Sequence, residues 1–120
     1  HKVDDKTNVA FEGLYGNALG HGGNSSAKWT GVSGWMSKKM TDKMTACLRL
    51  ESFNDSDGQR SGIAQSLMSA TISTAWVLSP NGTLNLEFRS DRSNKSVFTK
   101  DGSGPVKSRN TLTAAYILKF

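Results

Sequence analysis

The stretch Thr83-Leu84-Asn85-Leu86-Glu87-Phe88-Arg89-Ser90-Asp91 alternates between apolar and polar side chains. Leu84, Leu86 and Phe88 share one parity, and the amide and charged side chains share the other. Successive side chains of a β-strand point to opposite faces, so this period of two predicts a strand over residues 83–91. The predicted strand has one apolar face and one charged face.

Two other segments show the same alternation. In residues 44–53 the even positions are apolar from Met44 to Leu50, and the odd positions carry mostly polar side chains. Residues 111–120 alternate in the same way up to Phe120. Weaker alternation predicts three more strands, at residues 8–16, 28–39 and 67–78.

The faces of the predicted strand 28–39 stay open. Trp29 and Trp35 could define its apolar side, and so could Val32 and Met36, which have the opposite parity. Helical periodicity is nearly absent from the whole chain. The sequence therefore predicts an all-β, antiparallel fold of about six long strands in a single unit.

The connections between the predicted strands alternate in length. Short links follow at residues 40–43 and 79–82, where Asn81-Gly82 is a strong hairpin-turn signal. A weak repeat of Asp5-Lys6 as Asp42-Lys43, and then as Asn81-Gly82, marks a unit of two strands. Long polar links are predicted at residues 17–27, 54–66 and 92–109. Short turns alternating with long loops are typical of outer-membrane β-barrels.

Composition excludes several classes of protein. Only 36% of the residues are hydrophobic, and no run approaches the roughly 18 apolar residues that a spanning helix needs. The net charge is +5, but the basic residues are scattered, so we expect no nucleic-acid partner. Cys47 is the one cysteine, and the histidines are His1 and His21. We therefore predict no catalytic residue, no metal site and no cofactor.

Alternation alone fits either a barrel in lipid or a soluble β-sandwich, in which the apolar face would cover a core. Ordinary soluble strands have roughly five or six residues. The predicted strands are longer, and their length suits the crossing of a membrane. Aromatic residues also stand near strand ends, as at membrane interfaces, and the chain ends in an aromatic residue. We predict that these interface aromatics are Tyr15, Trp29, Trp35, Phe53, Trp76, Phe88 and Phe120. The sequence therefore predicts an antiparallel transmembrane β-barrel in the bacterial outer membrane. The alternative is a soluble β-sandwich that binds a carbohydrate-like ligand through its long loops.

In a lipid-embedded barrel the polar parity faces the lumen. The predicted pore-lining residues are Glu12, Thr45, Arg49, Glu51, Thr71, Ser73, Asn85, Glu87, Arg89, Asp91, Thr111 and Thr113. Their mixed charges suit a wet channel that sieves small solutes, or a salt-bridged ladder that braces the wall, and both can coexist. The short turns and the C-terminus would be periplasmic, and the long loops extracellular.

The residues from Thr41 to Arg60 resemble an outer-membrane β-barrel porin family of Gram-negative bacteria. The similarity lies in a turn, a strand rich in Leu, Arg and Glu, and the loop Asp57-Gly58-Gln59-Arg60. It continues in order through 84–91, Ser93-Asn94-Lys95 and 110–113, and it covers about residues 29–120.

This resemblance implies passive passage of small hydrophilic solutes through the outer membrane, with lipid as a partner. Porins of this kind are several times longer than this chain, which resembles only their C-terminal part. Six strands are fewer than the roughly eight of the smallest common barrels. We therefore expect further strands, from the same protein or from other chains, to complete the barrel.

Overall fold

The computed structural model describes residues 1–19, 26–100 and 102–120, and its regular structure there is entirely β. No helix in these ranges is long and apolar enough to cross a membrane. The eight strands are β1 (Thr7–Leu19), β2 (Ser26–Lys39), β3 (Met44–Asp55), β4 (Gln65–Ser79), β5 (Gly82–Ser93), β6 (Phe98–Lys100), β7 (Ser103–Val106) and β8 (Ser108–Leu118).

Six strands form one antiparallel sheet in the order β1-β2-β3-β4-β5-β8, so each long strand pairs with the next long strand along the chain. The sheet is open, because β1 and β8 stand at its two edges and do not pair with each other. The short strands β6 and β7 form a separate hairpin inside the long link between β5 and β8. The sequence analysis did not predict this hairpin.

The six long strands occupy the predicted segments, with different ends. Strand β1 runs on to Leu19 and β2 begins at Ser26, so the link between them shrinks from the expected 17–27 to residues 20–25, which lie outside the described residues. Strand β8 begins earlier than expected, at Ser108, and ends at Leu118. Phe120 therefore lies beyond the last strand.

Each copy of the weak sequence repeat supplies one carbonyl to a similar backbone hydrogen bond, from its second residue in the first two copies and from its first residue, Asn81, in the third. The carbonyl oxygens of Lys6, Lys43 and Asn81 accept from the amides of Lys39, Val77 and Lys119 at 2.8, 2.8 and 2.9 Å. Each carbonyl stands just before a strand, and each amide stands at the far end of the next long strand. The sheet is therefore built from three successive hairpins, β1–β2, β3–β4 and β5–β8, joined by short turns.

The turn between the first two hairpins carries its own ion pair. Lys39 Nζ donates to Asp42 Oδ1 at 2.8 Å. This hydrogen bond, helped by the charge of the ammonium group, holds the pKa of the exposed Asp42 carboxyl below its ordinary value. The turn lies at the same end of the sheet as the turn between β4 and β5 and the end of β8, while the link 56–64 and the link between β5 and β8 lie at the opposite end.

Strand register resolves the faces of β2. Directly paired residues on antiparallel strands point to the same side, and Trp35 pairs with Arg49 while Met36 pairs with Leu48. Trp29 and Trp35 therefore lie on the polar face of the sheet. Val32 belongs with Met36 to the apolar face.

The apolar face of the sheet is exposed. Phe11, Val32, Met68 and Leu112 are between 62% and 84% exposed, and Ala27 is the one buried hydrophobic residue in the described ranges. A soluble sandwich would cover this face with a second layer. The long strands form a single layer, so the structure does not favour the soluble alternative.

Strand length suits a membrane crossing. At about 3.3 Å per residue, the 11 residues of β8 extend about 36 Å. Tilted by about 35°, such a strand spans a hydrocarbon core about 30 Å thick. The other long strands have between 12 and 15 residues and reach further.

Candidate functional site

The candidate site is the polar face of the six-stranded sheet. Register places all the predicted pore-lining residues on this one face: Glu12, Thr45, Arg49, Glu51, Thr71, Ser73, Asn85, Glu87, Arg89, Asp91, Thr111 and Thr113. One cavity on this face touches residues from β1 through β5, so the sheet curves around it. The buried polar residues Thr71 and Asp91 lie on the same face, at 3% and 5% exposure. The burial pattern is therefore reversed from that of a soluble sheet, with polar groups inside and apolar groups outside.

Arg89 on β5 is the hub of a polar network on this face. Its Nη1 donates to Glu51 Oε2 at 2.8 Å, and its Nε donates to Asp91 Oδ1 at 2.8 Å. Its Nη2 donates to Ser69 Oγ at 2.9 Å, and that hydroxyl donates in turn to Asp91 Oδ1 at 2.7 Å. Because every nitrogen of the guanidinium has a partner, the side chain is held in one position across β4.

Two further arginines extend the network sideways. Arg49 Nε lies 3.4 Å from Glu51 Oε2, and Arg109 Nη2 lies 3.5 Å from Asp91 Oδ2. Both contacts are longer than those of Arg89, and both side chains are more exposed. A belt of three guanidinium and two carboxylate groups therefore runs from the middle of β3 across β5 to the loop end of β8.

A second polar anchor lies at the loop end of β3. Asp55 is fully buried, and its Oδ2 accepts from the amides of Arg60 and Ser61 at 2.9 and 2.7 Å and from Ser61 Oγ at 2.8 Å. The guanidinium carbon of Arg60 lies 5.4 Å above the centre of the Trp29 ring. The loop 56–64 is therefore attached to the polar face of the sheet at two points, the Asp55 carboxylate and the Trp29 ring.

A cavity of about 300 Å³ opens on the polar face beside the network. Its lining mixes an indole ring, carboxylates, one guanidinium and small polar groups: Glu12, Ser33, Trp35, Cys47, Arg49, Glu51, Thr71, Ser73 and Glu87. Ser33 and Trp35 were not among the predicted pore-lining residues. The open parity of β2 in the sequence concealed them, and only the register assigns them.

Three of the predicted interface aromatics lie on the polar face, which corrects their assignment. Trp29, Trp35 and Phe53 all share the parity of Glu51, so they point away from the apolar surface. Trp29 pairs with Gly16, and its indole occupies the space that a side chain at Gly16 would need. Phe53 pairs with Gly31, and a Cβ built on that glycine would lie 3.3 Å from the phenyl ring, which is a less severe overlap than at Gly16. These two rings cover glycines, and this packing rather than a lipid interface explains their positions.

The other predicted aromatics are on or near the apolar side. Tyr15 lies toward the loop end of β1, and Trp76 lies toward the turn end of β4. Phe88 stands near the middle of β5 rather than at its loop end, and Phe120 lies beyond β8. Tyr116 shares the row of Trp76 across β5, which adds an interface ring that the sequence analysis did not select.

Cys47 lies on the polar face between Ser37 and Ser73, its partners on the neighbouring strands. It is half-buried and lines the cavity. Among the described residues, no group of three His, Cys, Asp or Glu side chains is placed to hold a metal ion. His21 lies outside those residues.

Comparison with known proteins identifies one family. A family model described as "Putative beta-barrel porin-2, OmpL-like" matches residues 1–120. No curated protein and no solved structure matches the chain. The match spans all six long strands and both faces of the sheet.

Proposed function

The chain belongs to the β-barrel porin-2, OmpL-like family, and from this premise we propose that its sheet is part of a channel wall through which small hydrophilic solutes diffuse. Membership makes the chain an outer-membrane β-barrel protein. The proposal adds the open, wet lumen, the passive passage of solutes and the residues that line the path.

The observation that carries the proposal is the reversed burial of the two faces. Phe11 and Ile72 are 84% and 58% exposed on the apolar face, while Thr71, next to Ile72, is 3% exposed on the polar face. In a bilayer the apolar face meets hydrocarbon, and the polar face lines the lumen. Each face of the sheet then meets surroundings of its own polarity.

The charges on the polar face support a hydrated lumen. An Arg or Lys side chain that faced lipid at mid-membrane would cost about 2–4 kcal/mol. Arg49 and Arg89 stand near the middle of their strands, so the opposite face could hold them only at that cost. The same side chains gain water and carboxylate partners when the face lines a channel.

The network around Arg89 also suits a bracing role. Arg89 on β5 binds Glu51 on β3, so it connects two strands that are not neighbours in the sheet. Such a contact stiffens the curvature of the wall without closing the lumen. We therefore propose that the belt both lines the path and fixes the shape of the wall.

Closure of the barrel requires strands beyond these six. Apart from a bridge between Lys2 and Asn8, the outer edge of β1 has no partner strand in the described residues, and the outer edge of β8 has none there either. Unpaired backbone groups in hydrocarbon cost several kcal/mol each, so these edges must pair. We propose that further strands, from the same protein or from other chains, cover them.

The chain can be oriented by its connections. The short turns lie at one end of the sheet, and the longer loops at the other. We propose that the turns and the end of β8 face the periplasm and that the loops face the exterior, as in other outer-membrane barrels.

The test uses Cys47, the one cysteine in the chain. The barrel that carries this chain is reconstituted in liposomes and exposed to a small, charged, membrane-impermeant methanethiosulfonate reagent. We expect Cys47 to react, and its reaction to reduce the rate at which the liposomes swell in a small sugar. The matched control is Ala46→Cys in a Cys47→Ser background, which moves the thiol to the apolar face.

The control thiol should resist the charged reagent and react with a lipid-soluble maleimide. Equal reaction of both thiols with the charged reagent would contradict the assignment of the faces. Reaction of Cys47 without any swelling in a small solute would contradict the open channel and leave the bracing role.

A further inference from the structure

We propose that the cavity beside Trp35 is a binding site for small organic cations that carry N–H donors, such as primary ammonium compounds. This inference rests on the proposed function, because the site would hold such solutes on their way through the lumen. It adds a class of preferred solute, which passive diffusion alone does not specify.

The ring of Trp35 supplies the first part of the site. Its side chain is 39% exposed and lines the cavity, although it stands on the polar face among hydrophilic neighbours. Trp29 and Phe53 on the same face cover glycines, but the strand partners of Trp35, Ala10 and Arg49, are not glycines. An indole face open to a polar cavity attracts a cation through its quadrupole.

Two carboxylates supply the charge. Glu12 and Glu87 line the cavity, and neither forms an ion pair in the part of the chain that the structure describes. Glu51, the third carboxylate in the lining, is already bound by Arg89 at 2.8 Å and approached by Arg49 at 3.4 Å. The charge left uncompensated at the cavity is therefore negative.

A buried hydroxyl supplies the observation that points independently to a ligand. Thr71 lines the cavity at 3% exposure, and its Oγ1 has no hydrogen-bond partner among the residues that the structure describes. A buried polar atom without a partner is unfavourable, so such atoms are usually satisfied by water or a ligand. The oxygen of Thr71 can accept from an ammonium N–H in the cavity.

These three features select a cation over other solutes. Arg49 Nε lies 3.4 Å from Glu51 without a hydrogen bond in the described residues and can donate to an anion, but the free carboxylates of Glu12 and Glu87 outnumber that one guanidinium in the lining and repel negative charge. A neutral sugar could stack on Trp35, but it would gain nothing from the free carboxylates beyond hydrogen bonds. A primary ammonium group uses the ring, the charge and the hydroxyl together, and a volume of about 300 Å³ holds a compact molecule.

The experiment measures binding separately from conduction. In a Trp29→Phe, Trp76→Phe background, Trp35 is the one remaining tryptophan of this chain. Its fluorescence is followed in the intact, detergent-solubilised barrel, with any tryptophan outside this chain also replaced, during titration with butylammonium, tetramethylammonium, propionate or glucose. Block of single-channel current by the same four probes is measured in planar bilayers.

Butylammonium should bind most tightly. Glu87→Gln should raise its dissociation constant about tenfold, because a charge-assisted contact is lost, and Thr71→Val should raise it about fivefold. Thr71→Val should leave tetramethylammonium unchanged, since that ion has no N–H donor. The matched controls are Asp42→Asn, which removes the same charge at a distant turn, and Thr83→Val, which makes the same change at the turn end of β5, outside the cavity.

Each result separates the two proposals. Saturable butylammonium binding without any channel current would overturn the proposed function and keep the site. A conducting channel with no butylammonium binding, or with equal binding of glucose, would overturn the site and keep the channel. Equal losses in Thr83→Val and Thr71→Val would also overturn the site, because they would show a general effect on the wall.

Discussion

The guanidinium of Arg89 binds the carboxylate of Glu51 across an intervening strand, with Nη1 donating to Oε2 at 2.8 Å. The two residues stand on β5 and β3, so β4 lies between them. The contact passes over β4 on the polar face, the face around which the sheet curves. A pair of side chains thereby helps to set the curvature of the wall.

Loss of Arg89 should destabilise the barrel. Arg89→Met leaves Glu51 and Asp91 without their main partner, and Asp91 is 5% exposed. Removing one partner of a buried pair costs about 3–5 kcal/mol, and partial exposure of Arg89 lowers the expected loss to about 2–3 kcal/mol. The free energy of unfolding by urea in lipid vesicles measures the loss. The control is Arg92→Met on the same strand. It removes an exposed arginine that has no ion pair in the described residues. An equal loss of stability in this variant would contradict the stabilising role of the Arg89 network.

A new charge should destabilise the barrel at one residue of β4 and have little effect on its stability at the next residue. Ile72→Lys places an ammonium group on the exposed apolar face at mid-strand, and we expect a loss of about 2–4 kcal/mol in folding stability. Ser73→Lys places the same group on the polar face, where water and carboxylates can solvate it. Denaturant titration in vesicles compares the two variants. Similar stabilities would show that the two faces do not differ in their surroundings.

A methyl group at Gly16 should disturb Trp29. The added Cβ would overlap the indole ring, whereas a Cβ at Gly13 on the same strand meets no atom within 4 Å. We expect Gly16→Ala to cost about 1–3 kcal/mol through overpacking and Gly13→Ala to cost little. In a Trp29→Ala background the cost of Gly16→Ala should largely disappear, as a double-mutant cycle would show. An unchanged cost in that background would place its cause elsewhere.

Asp55 should control access to the loop 56–64. Asp55→Ala removes the acceptor for three hydrogen bonds from Arg60 and Ser61. Hydrogen bonds to a charged group are worth about 1.5–3 kcal/mol each, so trypsin should cleave after Arg60 at least about tenfold faster in the folded barrel. Mass spectrometry of the digest gives the rate at this site. Gln59→Ala, which changes an exposed side chain of the same loop, should leave the rate unchanged.

The proposed orientation predicts which thiols can be labelled on intact cells. In a Cys47→Ser background, Gln59→Cys places a thiol in the loop 56–64, and Asp42→Cys places one in a short turn. An impermeant maleimide too large for the lumen should label the loop variant on intact cells. It should label the turn variant only after the outer membrane is opened. The reverse pattern would invert the orientation.

Much of the fold could be predicted because one rule governs most of it. In β5 the apolar residues keep one parity over the whole strand, and in β3 and β8 most of them do, so these strands and their faces follow from the sequence. The rule fails in β2, where Trp29 and Trp35 lie on the polar face. Trp29 does so because Gly16 opposite leaves room for the ring. Aromatic residues alone are therefore a poor guide to the lipid side when glycines stand across from them.

The contacts of the site needed the three-dimensional register. Parity places Glu51 and Arg89 on one face, but their sequence positions do not show that they meet across β4. The hairpin β6–β7 could not be predicted from the sequence either, because its strands have three and four residues and are too short to show alternation. Its turn includes Gly102 at a φ of 68°, a conformation that glycine favours.

The three equivalent hydrogen bonds from Lys6, Lys43 and Asn81 have an evolutionary consequence. Each closes a hairpin that starts and finishes at the same end of the sheet. Duplicating or deleting such a hairpin changes the circumference of a barrel by two strands and leaves every loop and turn on its original side of the membrane. A single-strand insertion would exchange the two sides for everything that follows it. Channels of different width can therefore arise from this architecture by copying whole hairpins, without redesign of the surfaces that meet lipid and water.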